Sequence, residues 1–498
     1  MSPTTIDLDD FLSPLHIDAN LVLELARELA WTFGRLSANS LDQFLPTPIS
    51  ESIGGTNLRV GFVELLGSSS AVPQRLNRLL EHSWPIQDHL KNENSESLFA
   101  WIGDQVAHVV RKGCSAFHLP PDEPLPMGVT FSFPMKQSSL SEATLMAMGK
   151  GFAITSDLDL GGHLLRGYEK YRTANMPPIH IAAISNDAVS TLVSFIYQFP
   201  VAGAHQKAAM GLIVGTGSNA TIPLKLSSLH PSKRPAAISV LPGQDVDEVM
   251  IAVNTEWSIN GSAPPLRKLG LISRWDEQLD RAGEAPGFQP LEYMTAGRYL
   301  GELARLIFVD YISAVHGVET AVRLPERLRQ RFGLSTTFIS RFYPKSPEGC
   351  ILKRLEDEFP LNAVDSDEQG SFRWTEELAH VLYRISHAIE VRAAGIIAAS
   401  TVGLLSCAGE IPSWADGGVG NGDVDGGLVK ELAVGYTGGC IQYFQNYLAD
   451  TQRFIDGILE MQFEGQRPPV KVLLSPCHDG GITGAGILVP AALASESA

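Results

Sequence analysis

The 498-residue chain predicts an α/β fold built around more than one core, on three observations. In "IHIAAISNDAVSTLVSFIY" an apolar strand runs into a polar turn at Asn186-Asp187 and then into a helical pattern. "AAMGLIVGTGSNATI" is a second strand with a turn at Gly215-Thr216-Gly217, and "VKVLLSP" meets "CHDGGITGAG" near the C-terminus. A chain of this length exceeds one ordinary core, so two domains, or one large core with an insertion, follow from size. In α/β folds ligands gather at the strand ends.

Taken in order, residues 17–45 carry helical periodicity and end at "LPTP", where proline forbids continuation. "SESIGGTNLRV" and "VGFVELLG" predict a hairpin with a glycine turn ahead of it, followed by a helix around "LFAWIGDQVAHVVRKG" and a strand in "LPMGVTFSFP". Residues 290–318 and 373–406 predict long helices. The glycine- and aspartate-rich stretch "CAGEIPSWADGGVGNGDVDGG" predicts a flexible surface insertion, and a small-residue helix closes the chain. The longest apolar run, "AAGIIAASTVGLLSCAG" from Ala393, is shorter than a membrane span and rich in small residues, which fits a close-packed core helix.

Composition narrows the function. Acidic residues outnumber basic ones 55 to 38, for a formal charge of -17, which opposes non-specific binding to nucleic acid or anionic membranes. The five cysteines, Cys114, Cys350, Cys407, Cys440 and Cys477, have neither CxxC nor CxxH spacing and fit reduced thiols of an intracellular, most simply cytoplasmic, protein. The start "MSPTTIDLDDFLSPL" lacks the basic and apolar regions of a secretory signal, and no transmembrane segment is expected.

Three glycine turns recur beside apolar strands: Gly54-Gly55-Thr56, Gly215-Thr216-Gly217, and Gly480-Gly481 with Gly484-Ala485-Gly486. Backbone amides at such turns can hold phosphate oxygens without a charged side chain, although each turn alone is as well explained by a tight hairpin. No GxxxxGK[ST] loop, HRD or DFG signature occurs, and neither GxSxG nor HExxH is present. Asp187 has two compatible roles: helix N-cap, and a base that takes a hydroxyl proton while the oxygen attacks phosphorus.

"GGTNLRV", "FSFPMKQ", "GKGF", "SNDAVSTL", "VGTGSNA", "NTEW" and "LEYMTAGRYLGELARL" together resemble the hexokinases, in order and spacing, over nearly the whole chain. The resemblance implies the two-domain actin-like ATPase (ribonuclease H-like) fold, closing on a hexose with ATP and Mg²⁺ in the cleft. It implies a large domain from residues 1–49 and 187–478, and a small domain from residues 50–186 joined by a C-terminal helix over 479–498. By position, Asp187 matches the base for the sugar 6-hydroxyl, with Lys150 beside it. Ser132, Pro134, Lys150, Asn186, Asn219, Glu256 and Glu292 match the sugar-binding set. Amides and carboxylates suit a pyranose, whose hydroxyls each donate and accept. Gly54, Gly55, Thr56, Asn57, Arg59, Gly215, Thr216, Gly217, Thr437, Gly438, Gly439, Asp479 and Gly480 match the nucleotide side.

The nucleotide side departs from the family pattern. Ser52 stands where the family's first loop has an aspartate that helps to hold Mg²⁺, and a neutral hydroxyl is a poor anchor for a hard, hydrated cation. Gly149 and Ala188 replace threonines, and Thr437 in "YTGGC" takes the place of an aspartate. "QFLPTP" runs almost directly into "SESIGGT", so the apolar strand the family places there is missing, by a deletion in the protein or in the gene model. The expectation is a hexose-binding relative with impaired phosphotransfer, similar to the regulatory hexokinase-like proteins of filamentous fungi and open to a protein partner. An active ATP-dependent hexokinase is the alternative.

Overall fold

A computed structural model describes residues 6–47, 58–66, 75–86, 95–146, 158–199, 205–235, 245–342, 350–360, 372–412, 429–464 and 466–496. The turn Gly54-Gly55-Thr56-Asn57, Ser52, Lys150 and most of the expected glycine-rich insertion lie outside the described residues.

The larger core is organised by a six-stranded sheet in the order β1 (Leu45–Pro46), β11 (Met250–Asn254), β10 (Ser218–Lys225), β9 (Gln206–Val214), β12 (Lys430–Thr437), β13 (Val470–Pro476). β1, β11, β10 and β9 run antiparallel in succession, whereas β9, β12 and β13 are parallel. Strands such as β9 and β12 are apolar on both faces because helices cover both sides. The two turns that follow β9 and β12, Gly215–Gly217 and Thr437–Gly439, therefore open at one end of the sheet.

On this sheet pack the helices Ala19–Asn39, Asp187–Gln198, Gly297–His316, Glu376–Cys407 and Tyr447–Gln462. The helix Glu376–Cys407 starts cleanly because Thr375 accepts the Leu378 amide, with Glu376 and Glu377 in its first turn. It is long and apolar enough by length and composition to cross a membrane, yet most of its apolar stretch is buried within the larger core. Inside that core Arg392 makes a bidentate pair with Asp276, at 2.7 and 2.8 Å, and Asp276 also closes a capping box with Ser273.

Two elements differ from the sequence expectation. The helix expected over 17–45 stops at Asn39, because the Ser40 hydroxyl accepts the Gln43 amide and turns the chain; Leu45–Pro46 then pairs with β11 at the sheet edge. The helix expected over 290–318 is two, Pro290–Thr295 and Gly297–His316, broken at an extended Ala296 where Gly297 donates instead to the Gly215 carbonyl at 2.8 Å.

A second core lies under the hairpin β2 (Leu58–Leu65) and β3 (Leu76–Trp84), and the parallel pair β4 (Leu125–Thr130) and β8 (Ile179–Ser185). The helices Ser95–Phe117 and Leu160–Glu169 cover it, crossing so closely that a Cβ on Gly103 would lie 2.1 Å from the Gly167 carbonyl carbon. The C-terminal helix Gly480–Glu496 packs across β2, β4 and β8 and onto the helix Asp187–Gln198, bridging the two cores. A short antiparallel sheet, β5 (Met135–Gln137), β6 (Ala143–Leu145) and β7 (Leu158–Asp159), follows the "FSFP" segment. Among the described residues no ladder joins β2 to β4.

Candidate functional site

A cleft of about 1580 Å³ opens where β8, β9, β10 and β12 end, between the two cores. Its lining gathers Ser132, Asn186, Asp187, the 215–219 turn, Glu256, Glu292, Thr437–Gly439, Arg59 and Asp479–Gly480. Pro134 is not on that lining, nor are Gly484 and Ala188; the Pro134 carbonyl accepts the Met146 amide and its neighbours Ser132 and Phe133 line the cleft.

One wall is made of buried amides and carboxylates. Asn186 caps the helix Asp187–Gln198: its Oδ1 accepts the Ala188 amide at 2.9 Å while its Nδ2 donates to the Phe133 carbonyl at 3.1 Å, tying "FSFP" to the helix start. Asp187 is the first residue of that helix, where the backbone dipole favours a carboxylate. Glu256 is almost fully buried and accepts from Asn254 Nδ2 at 2.8 Å and Asn219 Nδ2 at 3.2 Å. Asn219 also donates to Asn254 Oδ1 at 2.8 Å, and Glu292 Oε2 accepts the Ser218 amide at 3.1 Å.

The backbone of Glu256 is left-handed, with φ of +46°, a conformation costing on the order of 1 kcal/mol in a non-glycine residue. It is held there by Gln43 Nε2, which donates to its carbonyl at 2.8 Å, and by buried Trp257, whose Nε1 donates to Ser218 Oγ at 3.1 Å. Strained backbone of this kind clusters at active sites and ligand clamps in proteins generally. Asn254 is a member of this network that the sequence reading did not name, although it opens the quoted "NTEW" motif.

The other wall is mainly backbone. Gly215 is closed into its turn by a 2.9 Å bond to the Gly217 carbonyl, and the Arg298 amide donates to the Thr216 carbonyl at 3.1 Å. Gly438 has φ of +115°, and a Cβ there would lie 2.3 Å from the Val214 carbonyl oxygen, so only glycine fits. Asp479, also left-handed at φ of +55°, accepts from Arg59 at 2.5 Å and Arg78 at 2.9 Å. Burial would raise its pKa, but these two guanidiniums outweigh that and hold it below the ordinary carboxylate value. Arg78 was not among the sequence candidates. Exposed Tyr443, with Arg298 and Thr336, lines the outer part of this wall.

Among the described residues no group of three His, Cys, Asp or Glu side chains could hold a metal ion. On the glycine-turn wall Thr437 offers only a hydroxyl and Asp479 is already paired with two arginines. Mg²⁺ prefers octahedral oxygen ligands supplied by carboxylates together with substrate phosphates. The described donors therefore do not form a protein-held Mg²⁺ site.

The chain has a mixed α/β, two-domain fold that matches hexokinase crystal structures. One hexokinase family model matches residues 209–491 and a second matches residues 49–197. The chain belongs to the hexokinase family. It is 28% identical to hexokinase-2 of Arabidopsis thaliana, over 88% of this chain and 76% of that protein. It is 29% identical to the hexokinase of Kluyveromyces lactis, over 61% of this chain and 56% of that one. A structure of the Schistosoma mansoni hexokinase complexed with glucose aligns with a TM-score of 0.71 at 22% identity, covering 97% of this chain and 98% of its own. A second hexokinase crystal structure aligns with a TM-score of 0.64 at 20% identity, over 98% of both chains. These two neighbours establish the fold.

Proposed function

We propose that the protein binds a hexose, glucose first among them, in the cleft between its cores, transfers phosphate from ATP weakly or not at all, and serves as a sugar-responsive regulator. The carrying observation is the contrast between the two walls: a complete, buried amide–carboxylate network beside a phosphate-facing wall whose acid is tied to arginines. In this reading Asn186, Asn219, Glu256 and Glu292 take the sugar hydroxyls, and Asp187 receives the proton of the 6-hydroxyl. ATP, which members of the family use with Mg²⁺, would supply the phosphoryl group.

Phosphoryl transfer rests on positioning and on neutralising phosphate charge, so losing a metal anchor harms it far more than it harms sugar affinity. A cleft that still closes on sugar changes the exposed surface, which is a signal a protein partner can read. That regulatory role is the one the resemblance to filamentous-fungal hexokinase-like proteins suggests. The second reading, an active ATP-dependent hexokinase, is favoured by Asp187 lining the same cleft as Glu256, Glu292 and the glycine turns.

Glucose titration of the purified protein, with tryptophan fluorescence and ADP release followed in the same samples, separates the readings. Trp257, hydrogen-bonded next to Glu256, is the built-in reporter. A fluorescence change without ADP supports the regulator. Robust glucose-dependent ADP release supports the enzyme, and silence in both signals removes both sugar readings.

A further inference from the structure

Residues 40–46, between the helix Ala19–Asn39 and the sheet edge, run against the strand end that carries Asn254 and Glu256. Leu45 lies opposite Asn254 in the pairing of β1 with β11, and the Phe44 amide donates to the Thr255 carbonyl at 3.1 Å. Gln43 is buried, and its Nε2 donates at 2.8 Å to the Glu256 carbonyl, which also accepts the Ile259 amide at 3.2 Å. Phe44 is left-handed like Glu256, with φ of +55° against +46°. Two non-glycine residues in that region, each costing on the order of 1 kcal/mol, persist only where their surroundings over-determine them, and here each segment braces the other.

Gln43 is itself held from outside the cleft. Lys233 Nζ donates to its main-chain carbonyl at 2.9 Å, and its amide donates to Ser40 Oγ at 3.1 Å. A Cβ on Gly261 would fall 1.8 Å from Gln43 Oε1, so the side chain is seated only because residue 261 is glycine. Lys233 ends the short helical turn Pro231–Lys233, which is fastened to the helix Ala19–Asn39 by the His230 amide donating to the Ser37 carbonyl at 3.0 Å. Burial lowers the Lys233 pKa to about 8, with Asp42 drawing it back up. The ammonium gives up solvation here to hold a carbonyl rather than an acid.

We propose that Lys233 and Gln43 are positioning residues for the sugar site: Lys233 seats Gln43, and Gln43 holds the strained backbone from which the Glu256 carboxylate meets the hexose. Neither residue lines the cleft, so their effect on sugar travels through Glu256. A backbone that relaxes out of the left-handed region swings the carboxylate away from its place, and hydrogen bonds weaken steeply with such misalignment. The inference rests on the reading of Glu256 as a hexose ligand and adds what sets its position from the far side of the sheet edge.

The test is a double-mutant cycle on the whole protein, with glucose affinity read by tryptophan fluorescence and stability by denaturant titration of the same samples. Lys233→Met should weaken glucose about fivefold and Gln43→Ala about tenfold, the scale of one lost hydrogen bond. Lys233→Arg should recover part of the loss, because a guanidinium still donates to the Gln43 carbonyl. In a Glu256→Ala background, either substitution should cost less than about twofold more, since the side chain it positions is gone. Lys233 is half-buried on a surface turn, so its variants carry the cycle even where Gln43→Ala unfolds the protein. Variants that bind glucose like the parent overturn this inference alone. Losses that add in full to that of Glu256→Ala also overturn it, because general loosening of the sheet edge gives that result. A parent protein that does not bind glucose refutes the hexose reading itself, and this inference with it.

Discussion

The two walls of the cleft handle buried charge in opposite ways. On the amide–carboxylate wall, Glu256 and Glu292 are almost fully buried and accept from neutral donors, the Asn254 and Asn219 amides and the Ser218 backbone N–H. Their charge is solvated by fixed dipoles, with the geometry set before any ligand arrives. On the phosphate-facing wall the acid Asp479 is partly exposed and cancelled by mobile, long-armed cations, and the surface that remains is glycine backbone. The first arrangement presents fixed neutral donors and buried acceptors; the second has its negative charge paired internally.

The largest effect is expected where backbone alone makes the wall. Gly438→Ala would place a methyl 2.3 Å from the Val214 carbonyl oxygen, at a φ of +115° that alanine does not adopt. The unfolding free energy should fall by roughly 3–4 kcal/mol, read by denaturant titration. Glucose should still raise the unfolding midpoint of the variant, because the sugar-side hydrogen bonds come from β10, β11 and Glu292 rather than from Gly438. Loss of the glucose-induced shift along with stability would make the walls one unit and break the comparison.

A smaller and more local effect is expected at Glu256→Ala. It removes the acceptor of the buried Asn254 Nδ2 and one of the two acceptors of the half-buried Asn219 Nδ2, a cost of about 1–3 kcal/mol. Glucose affinity should drop about a hundredfold by fluorescence or calorimetry, with ADP affinity unchanged. If ADP affinity falls equally, the walls do not act independently.

These walls differ in how far the sequence reveals them. The sugar side was legible because its residues sit in short contiguous motifs at strand ends; "SNDAVSTL", "VGTGSNA" and "NTEW" each deliver their side chains by local geometry, a helix cap, a hairpin turn and a strand end. Arg78 was not legible, since it meets Asp479 across 401 positions and nothing in "LNRLLEHSW" marks one arginine as a ligand. The buried pair Arg392–Asp276, 116 positions apart, was hidden for the same reason. Periodicity is overruled by a local hydrogen bond at Ser40 and by a tertiary one at Gly297, whose amide donates to the Gly215 carbonyl. Glu302, which sequence periodicity places equally well on a solvated helix face, is buried and paired with Arg305 at 2.6 Å.

The smallest predicted effect concerns another buried glutamate, behind the Thr437–Gly439 turn. Glu390 is fully buried on the helix Glu376–Cys407, and its pKa is raised to about 7: burial pushes it up most, the His387 contact at 3.3 Å pulls it down, and Asp450 on the helix Tyr447–Gln462 pushes it up again. Cys440 and Tyr447, which follow the Thr437–Gly439 turn, also sense its charge, and both have pKa values raised chiefly by burial. Unlike Glu256 and Glu292, which accept from amides, it meets the His387 ring, at 3.3 Å. A carboxyl whose folded pKa lies above its unfolded one favours the fold while protonated, and that stability is lost as pH rises from about 4.5 through about 7. His387, itself raised first by its hydrogen bond to Glu390, loses its contribution in the same direction. The difference in unfolding free energy between the parent and Glu390→Gln should therefore shift by roughly 1–2 kcal/mol against the parent between pH 5 and pH 8. Denaturant midpoints of the two proteins across that range measure it. A parallel pair of pH curves would mean that Glu390 is charged at both ends of the range. The two walls would then no longer differ in how they carry a buried carboxylate. A divergence would place the pH-sensitive group behind the phosphate side.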